Sequence, residues 1–186
     1  MKRLLDCLLA SALLLLLTVP ILLIVLLVKA TSPGPVIYWS DRIGKDNRIF
    51  RMPKFRTMRT DTPAVATHLL ADPSRYLTPI GGFLRKTSLD ELPQFLNVLK
   101  GEMSVVGARP VVQAELSNYY KENAGLYCSM KPGITGPWQV GKRSDTDDYD
   151  ERVQLDTWYV LNHSIWLDLG IIIKTVSRVL SGKGAY

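Results

Sequence analysis

A run of 22 residues without a charge, from Cys7 to Val28, constrains this chain more than any other feature. Leu dominates it. As one helix it would be about 33 Å long, close to the thickness of a bilayer core. A buried helix of a soluble domain is usually shorter and polar on one face, so the expectation is membrane insertion. Three forms of insertion compete. Lys2, Arg3 and the Val28-Lys29-Ala30 segment sketch a cleaved signal peptide, although the run is long and a Lys falls inside the cleavage site. A straight spanning helix is the second form, and a helix that bends and returns to the same face is the third. Pro20 lies inside the run and predicts a kink, because proline removes a backbone donor and clashes with the preceding turn. Spanning helices also tolerate proline. Basic residues flank the run at both ends: Lys2 and Arg3 before it, then Lys29 and the series Arg42, Lys45, Arg48, Arg51, Lys54, Arg56 and Arg59. Positive charge stays on the cytoplasmic side, which tips the reading toward a re-entrant helix with both ends on that face.

The chain has 186 residues, enough for one domain with a membrane segment attached. At 47% hydrophobic and 22% charged residues it is no disordered chain. The 23 Lys and Arg against 17 Asp and Glu give a net charge of +6, which points to anionic partners. The two Cys, Cys7 and Cys128, lie far apart, which excludes a disulfide scaffold and a cysteine zinc site and suits a reducing compartment.

The expected organisation is a membrane helix over residues 1–30 and a globular domain over residues 31–186, of mixed α/β class and mostly helical. Thr31 to Pro35 is a breaker cluster. Val36 to Trp39 and Arg48 to Met52 suggest a β-hairpin. Asp61 to Pro79 reads as a long polar loop. Ser88 to Lys100 reads as a helix with Ser88 as N-cap, Glu91 at the capping-box spacing and Gly101 as the stop. Helices are expected over Val111–Glu122 and about Asp147–Leu161, with Lys131 to Pro137 a rigid turn-rich loop. From Ile165 to Leu180 the apolar residues recur at helical spacing beside a basic face. That helix suits a membrane interface or the domain core equally well.

The candidate chemistry lies at Asp90 and Glu91. Two adjacent carboxylates at a helix start can divide the roles of nucleophile and cation holder, and they can equally be ordinary capping. Arg85, Arg109 and Arg143 stand in or near glycine-rich segments and suit a diphosphate ligand, although each alone is an ordinary surface charge. His68 and His163 are lone histidines, and Asp145 to Glu151 reads as a solvated helix start. The basic stretch from Arg42 to Arg59 lacks a nucleic-acid recognition pattern, so anionic lipid is its expected partner and nucleic acid is not.

Five segments in this order resemble the bacterial sugar transferases, the monotopic phosphoglycosyl transferases: Lys54-Phe55-Arg56-Thr57-Met58, Thr87 to Gln94, Asn97 to Ser104, Gly107-Ala108-Arg109-Pro110, and Lys131 to Gly136. The resemblance implies a re-entrant helix broken at Pro20 and a globular part with amphipathic interfacial helices on the cytoplasmic face of the bacterial inner membrane. It implies transfer of a sugar-1-phosphate from a UDP-sugar to undecaprenyl phosphate with release of UMP, at the start of cell-surface polysaccharide or glycoconjugate synthesis. Asp90 matches the nucleophile that forms a phosphosugar-aspartyl intermediate, and Glu91 the residue associated with Mg²⁺. Arg85, Arg109 and Arg143 match arginines linked to phosphate or nucleotide binding. Three positions depart from the family pattern: Val19 where Ser is common, Ala108 where Pro is usual, and Lys142 where Gly is usual. A lipid-linked glycosyltransferase releasing UDP and a membrane-anchored scaffold are the rival readings. The choice of sugar and the oligomeric state stay open.

Overall fold

The computed structural model describes residues 1–63, 72–141 and 149–181. The uncharged run forms two helices, α1 (Lys2–Leu16) and α2 (Thr18–Thr31), bent by 62° at Leu17. The break therefore falls three residues ahead of Pro20. Proline acts on the turn before it, where its missing N–H leaves the Leu16 carbonyl without its usual partner. The neighbouring groups remain paired. Leu17 N–H donates to the Leu13 carbonyl (2.9 Å), the Thr18 hydroxyl to the Leu14 carbonyl (2.8 Å), and Ile21 N–H to the Leu17 carbonyl (2.8 Å). Among the described residues no single helix is long and apolar enough to cross a membrane, whereas the bent pair together meets that length and composition.

Each half of the pair packs on the body by a narrow face. Ala10 of α1 joins Phe50, Met52, Val98, Met103 and Tyr159 in one cluster. Ile24 and Val28 of α2 join Phe55, Leu84 and Leu92 in another. The opposite faces, including Leu15, Leu16, Val19, Leu22, Leu23 and Leu26, are exposed.

Strands β1 (Ile37–Ile43) and β2 (Ile49–Phe55) make the expected hairpin, antiparallel and longer than the sequence suggested, with Ile37 opposite Phe55 and Ile43 opposite Ile49. Asp46 and Asn47 take left-handed conformations in its turn, as short polar side chains can. A 3₁₀ turn over Pro73–Tyr76 and helix α3 (Gly81–Lys86) follow.

The stretch expected as one helix from Ser88 begins instead as a 3₁₀ turn over Leu89–Gln94, and becomes α-helical only in α4 (Phe95–Lys100). The capping box does not form. Ser88 is left-handed (φ 56°) and its side chain makes no cap bond, while the Glu91 carboxylate turns to Lys54. Gly101 ends α4 in a left-handed conformation (φ 87°), as expected.

Strand β3 (Ser104–Val106) pairs in parallel with β4 (Gly133–Thr135), so the supposed loop from Lys131 to Pro137 contains a strand. Glycines permit that contact. A Cβ at Gly133 would lie 2.1 Å from the Gly107 nitrogen, and one at Gly136 would lie 2.1 Å from the Gly107 oxygen. The expected helix 111–122 is broken into α5 (Gln113–Glu115), a π turn over Leu116–Tyr120 and a 3₁₀ turn before α6 (Ala124–Cys128).

After the short α7 (Pro137–Val140) come α8 (Tyr149–Asn162) and α9 (Ile165–Ser181), both near their expected places. Helix α9 seats Asp168 and Ile171 in the body and exposes Trp166, Ile173, Val176 and Val179.

The first turn of α1 is fastened to this body. Lys2 Nζ lies 2.6 Å from Asp168 Oδ2 on α9 and donates to the Val106 carbonyl at 2.9 Å. The Arg3 guanidinium donates to the Val98 and Leu99 carbonyls at the end of α4, a position where a cation also suits the helix dipole. Buried Asp6 accepts the Ser104 hydroxyl (3.0 and 2.9 Å) and the Val105 N–H (2.9 Å).

Candidate active site

The 3₁₀ turn between α3 and α4 brings two carboxylates to the inner face of the hairpin. Asp90 is buried at 7% exposure. Lys54, from β2, sets its ammonium 2.8 Å from Glu91 Oε1 and 3.8 Å from Asp90 Oδ2. The adjacent pocket is lined by Arg42, Met52, Lys54, Glu91, Gln94, Arg109, Pro110, Ile134 and Gln139. The β3–β4 contact places Arg109 and Gln139 on facing segments, since Gly107 and Gly136 touch through their backbones.

Four residues that line this pocket each carry a buried side-chain atom without a hydrogen-bond partner: Arg42 Nε, Gln94 Nε2, Arg109 Nε and Gln139 Oε1. Folded proteins satisfy nearly all buried polar atoms, and each unmet one costs about 1–3 kcal/mol. Four around one pocket mark a place prepared for a polar ligand.

A buried polar layer stands behind it. The Trp138 ring carries the Arg109 guanidinium at 5.3 Å and the Arg152 guanidinium at 5.4 Å. Tyr127 donates its hydroxyl to the Arg109 carbonyl at 3.1 Å. Tyr120 donates to Asp156 Oδ2 at 2.6 Å. Burial pushes the Asp156 carboxyl up to about 6, against the opposing pull of Tyr120 and Arg152. Burial also raises the Tyr120 and Tyr127 hydroxyls far above the ordinary tyrosine value, so both remain donors.

The family model described as bacterial sugar transferase matches residues 1–182. The chain belongs to the bacterial sugar transferase family.

The chain is 41% identical over 201 residues to the undecaprenyl-phosphate galactose phosphotransferase of Salmonella typhimurium, with all of this chain and 42% of the relative covered. It is 42% identical over 193 residues to the UDP-glucose:undecaprenyl-phosphate glucose-1-phosphate transferase of Escherichia coli, covering all of this chain and 41% of the relative. It is 43% identical over 201 residues to the exopolysaccharide production protein ExoY of Rhizobium meliloti, covering all of this chain and 88% of the relative. The chain thus spans about two fifths of the length of the first two.

Of the residues singled out in the sequence, Asp90, Glu91 and Arg109 do converge. Arg85 does not line the pocket: its Nε donates to the Thr57 hydroxyl at 2.9 Å. Arg143, Lys142 and His68 lie outside the described residues. Ala108 is buried, and its carbonyl accepts the Gly133 N–H at 2.8 Å.

The expectation of one lipid-facing basic patch from Arg42 to Arg59 is corrected. Arg42 and Lys54 line the pocket, and Arg56 is buried, binding the Ser32 and Pro35 carbonyls where α2 ends. Arg51 lies over the Trp39 ring at 4.9 Å. Beyond a lipid partner for Lys54, the sequence assigns no role to Lys54, Gln94, Gln139 or Asp156. The first two stand inside quoted motifs, which was a usable signal. The other two are marked only by their burial in the folded chain.

Proposed function

We propose that the chain transfers a sugar-1-phosphate from a UDP-sugar to undecaprenyl phosphate and releases UMP, through a phosphosugar intermediate on Asp90. The observation that carries this reading is the buried Asp90 beside Lys54 and Glu91, next to a pocket whose orphaned polar atoms include two arginine Nε groups. Whole-chain identity to relatives named for sugar-phosphate transfer to undecaprenyl phosphate supports it.

In the first displacement an Asp90 carboxylate oxygen attacks the phosphorus that bears the sugar. The bond from that phosphorus to the bridging diphosphate oxygen breaks, and UMP leaves with the electron pair. In the second, a phosphate oxygen of undecaprenyl phosphate attacks the same phosphorus, and the Asp90 carboxylate is released. Two anions that repel each other thereby use one site in turn. Lys54 and Arg109 offset the charge on the phosphoryl oxygens. Lys54 also holds Glu91 in place through its 2.8 Å contact.

Mg²⁺ fits this donor set. Among the described residues no three His, Cys, Asp or Glu side chains gather as a metal cage. Mg²⁺ is commonly held by one or two carboxylates together with substrate phosphates, however, and the Lys54 ammonium already occupies a cation position between the two carboxylates. Glu91 would hold the ion, with Asp90 beside it. When bound, the ion supplies positive charge to the phosphoryl oxygens.

The bent pair α1–α2 is read as re-entrant in the bacterial inner membrane, with residues 31–186 on the cytoplasmic face. Support comes from both ends. Lys2, Arg3 and Asp6 bind the body, and Arg56 holds the exit of α2 through Ser32 and Pro35. These contacts at both ends of the pair support the re-entrant reading, because straddling a bilayer would tear them.

The deciding experiment is a panel of UDP-sugars with undecaprenyl phosphate and purified protein, scored for nucleotide product. UMP release supports phosphosugar transfer. UDP release would assign transfer of the sugar alone, and no release with any sugar would overturn the reading.

A further inference from the structure

We infer that Arg42 is a phosphate-binding residue of this site, forming with Arg109 a two-arginine clamp for one anionic phosphate group. The inference rests on the phosphosugar-transfer reading only for the identity of the anion, a nucleoside diphosphate or its monophosphate product.

Backbone structure fixes the pair. Arg42 is the penultimate residue of β1, and the next residue, Ile43, is fully buried and bonded to the other arginine's segment. Ile43 N–H donates to the Val111 carbonyl at 2.9 Å, forming an isolated antiparallel bridge two residues beyond Arg109. Tyr127 ties the same two segments, its single hydroxyl proton shared between the Ile43 carbonyl (3.2 Å) and the Arg109 carbonyl (3.1 Å). Two guanidiniums from different elements are therefore held at one pocket by contacts that do not involve their own side chains.

The outer edge of Arg42 is occupied. Its Nη1 lies 3.7 Å from Glu115 Oε2 and 3.5 Å from the Pro110 carbonyl. Its Nε is buried and unpartnered, like the Nε of Arg109, and both residues line the pocket. Each guanidinium thus keeps a buried donor with nothing to receive it, on a residue that lines the pocket.

The charge balance has the same sense. Among the described residues Glu115 is the carboxylate that pairs with Arg42, and it is shared: Arg152 Nη1 lies 3.8 Å from it, Tyr149 donates to it at 3.0 Å and Val112 N–H at 3.0 Å. Lys54, the third cation of the pocket, is taken up by Glu91. The Arg42–Arg109 end therefore keeps an excess of positive charge. Burial pulls the Arg42 guanidinium below the ordinary arginine value, Glu115 pulls it back up, and Arg109 pulls it down again, as expected for neighbouring like charges. A doubly charged phosphate relieves that repulsion and fills the orphaned donors together, which no neutral ligand does. Gln94 Nε2 adds a further unpartnered donor at the same pocket.

The test is binding of inorganic pyrophosphate and, separately, UMP to the full chain in detergent micelles by titration calorimetry. Wild type is compared with Arg42→Gln, Arg42→Lys and, as a charge control, Arg48→Gln on the exposed hairpin turn. Arg42→Gln is expected to weaken both ligands at least about tenfold, the usual scale for a hydrogen bond to a charged group. Arg42→Lys keeps the charge but lacks Nε and the planar fork, so it should lose a smaller factor. Arg48→Gln should bind as wild type does. A folded Arg42→Gln with wild-type affinity overturns the inference. If that variant fails to fold, wild-type affinity in Arg42→Lys overturns it alone. Pyrophosphate binding that depends on Arg42 in a protein releasing no UMP from any UDP-sugar would uphold the clamp and refute the proposed reaction.

Discussion

The ammonium of Lys54 stands 2.8 Å from the Glu91 carboxylate and 3.8 Å from that of Asp90, so one cation on a β-strand serves both acidic residues of the 3₁₀ turn. Lys54→Met removes that cation while keeping a side chain of similar length. Turnover is expected to fall about 10²-fold, the scale of losing one preorganised electrostatic partner of a reacting phosphoryl group. Steady-state kinetics with UDP-sugar check this, and unchanged kcat would remove Lys54 from the reaction.

Asp90→Asn is nearly isosteric but has a much poorer nucleophile. It is expected to abolish the covalent intermediate and to lower turnover by about 10³-fold or more, with the fold intact. Intact-mass measurement after incubation with UDP-sugar alone is the check. A phosphosugar adduct on the variant would assign the nucleophile elsewhere. Glu91→Gln should instead raise the Mg²⁺ concentration needed for half-maximal activity, and an unaltered Mg²⁺ titration would dissociate Glu91 from the metal.

How much of this was readable beforehand depends on the range of the interaction. The bend, the hairpin, the Gly101 stop and the Asp90–Glu91–Arg109 convergence follow from local signals: a proline in an apolar run, turn residues, a glycine after a periodic stretch, and quoted motifs. The capping box at Ser88 failed because a tertiary partner, Lys54, claims the Glu91 side chain that the local pattern assigned to the helix start. The strand at Gly133–Thr135 was missed because three residues bounded by glycines carry no periodicity, and the pairing depends on Gly107 and Gly133 touching across distant segments. The pocket positions of Arg42 and Lys54, whose expected partner is anionic lipid, are not legible in the sequence, because β-strand alternation alone cannot say which face meets a pocket.

Asp156 should leave a signature in stability against pH. Its carboxyl is pushed up to about 6 by burial, above its ordinary unfolded value. The folded state then holds the proton more tightly, so the stability this group contributes is complete below about pH 4 and is lost as pH rises through about 6. A shift of about two pH units corresponds to roughly 3 kcal/mol. Asp156→Asn cannot ionise. Melting temperatures of wild type and variant at pH 4.5 and pH 7.5 give the difference, and wild type should fall relative to the variant at the higher pH. Parallel behaviour of the two proteins would show that Asp156 does not titrate in this range.

Asp6 tests the fastening of α1. It is buried and accepts the Ser104 hydroxyl and the Val105 N–H. Asp6→Ala leaves both donors unmet and should cost about 1–3 kcal/mol, read as a lowered melting temperature in detergent. An unchanged melt would mean that the first turn of α1 is not held by the body.

Topology follows from the same fastening. Lys2 meets Asp168 and Arg3 meets the end of α4, so the start of α1 lies against the body into which α2 runs through Ser32 and Arg56. Both ends of the pair are thus expected on the cytoplasmic face, where positive charge also favours them. The bend carries its own cost, because backbone groups left unpaired in hydrocarbon are unfavourable by several kcal/mol each. The Thr18 hydroxyl on the Leu14 carbonyl relieves part of it. Single Cys residues placed after Met1 and at Asp41→Cys, in a background with Cys7 and Cys128 replaced by Ser, can be probed on intact cells with a membrane-impermeant thiol reagent. Both sites should be shielded until the cells are opened. Labelling of one site alone from outside would mean that the pair spans the bilayer. Pro20→Ala restores the missing donor, so it should straighten the pair and yield a mixture of the two labelling patterns, whereas a pattern identical to that of the parent would place the cause of the bend elsewhere than Pro20.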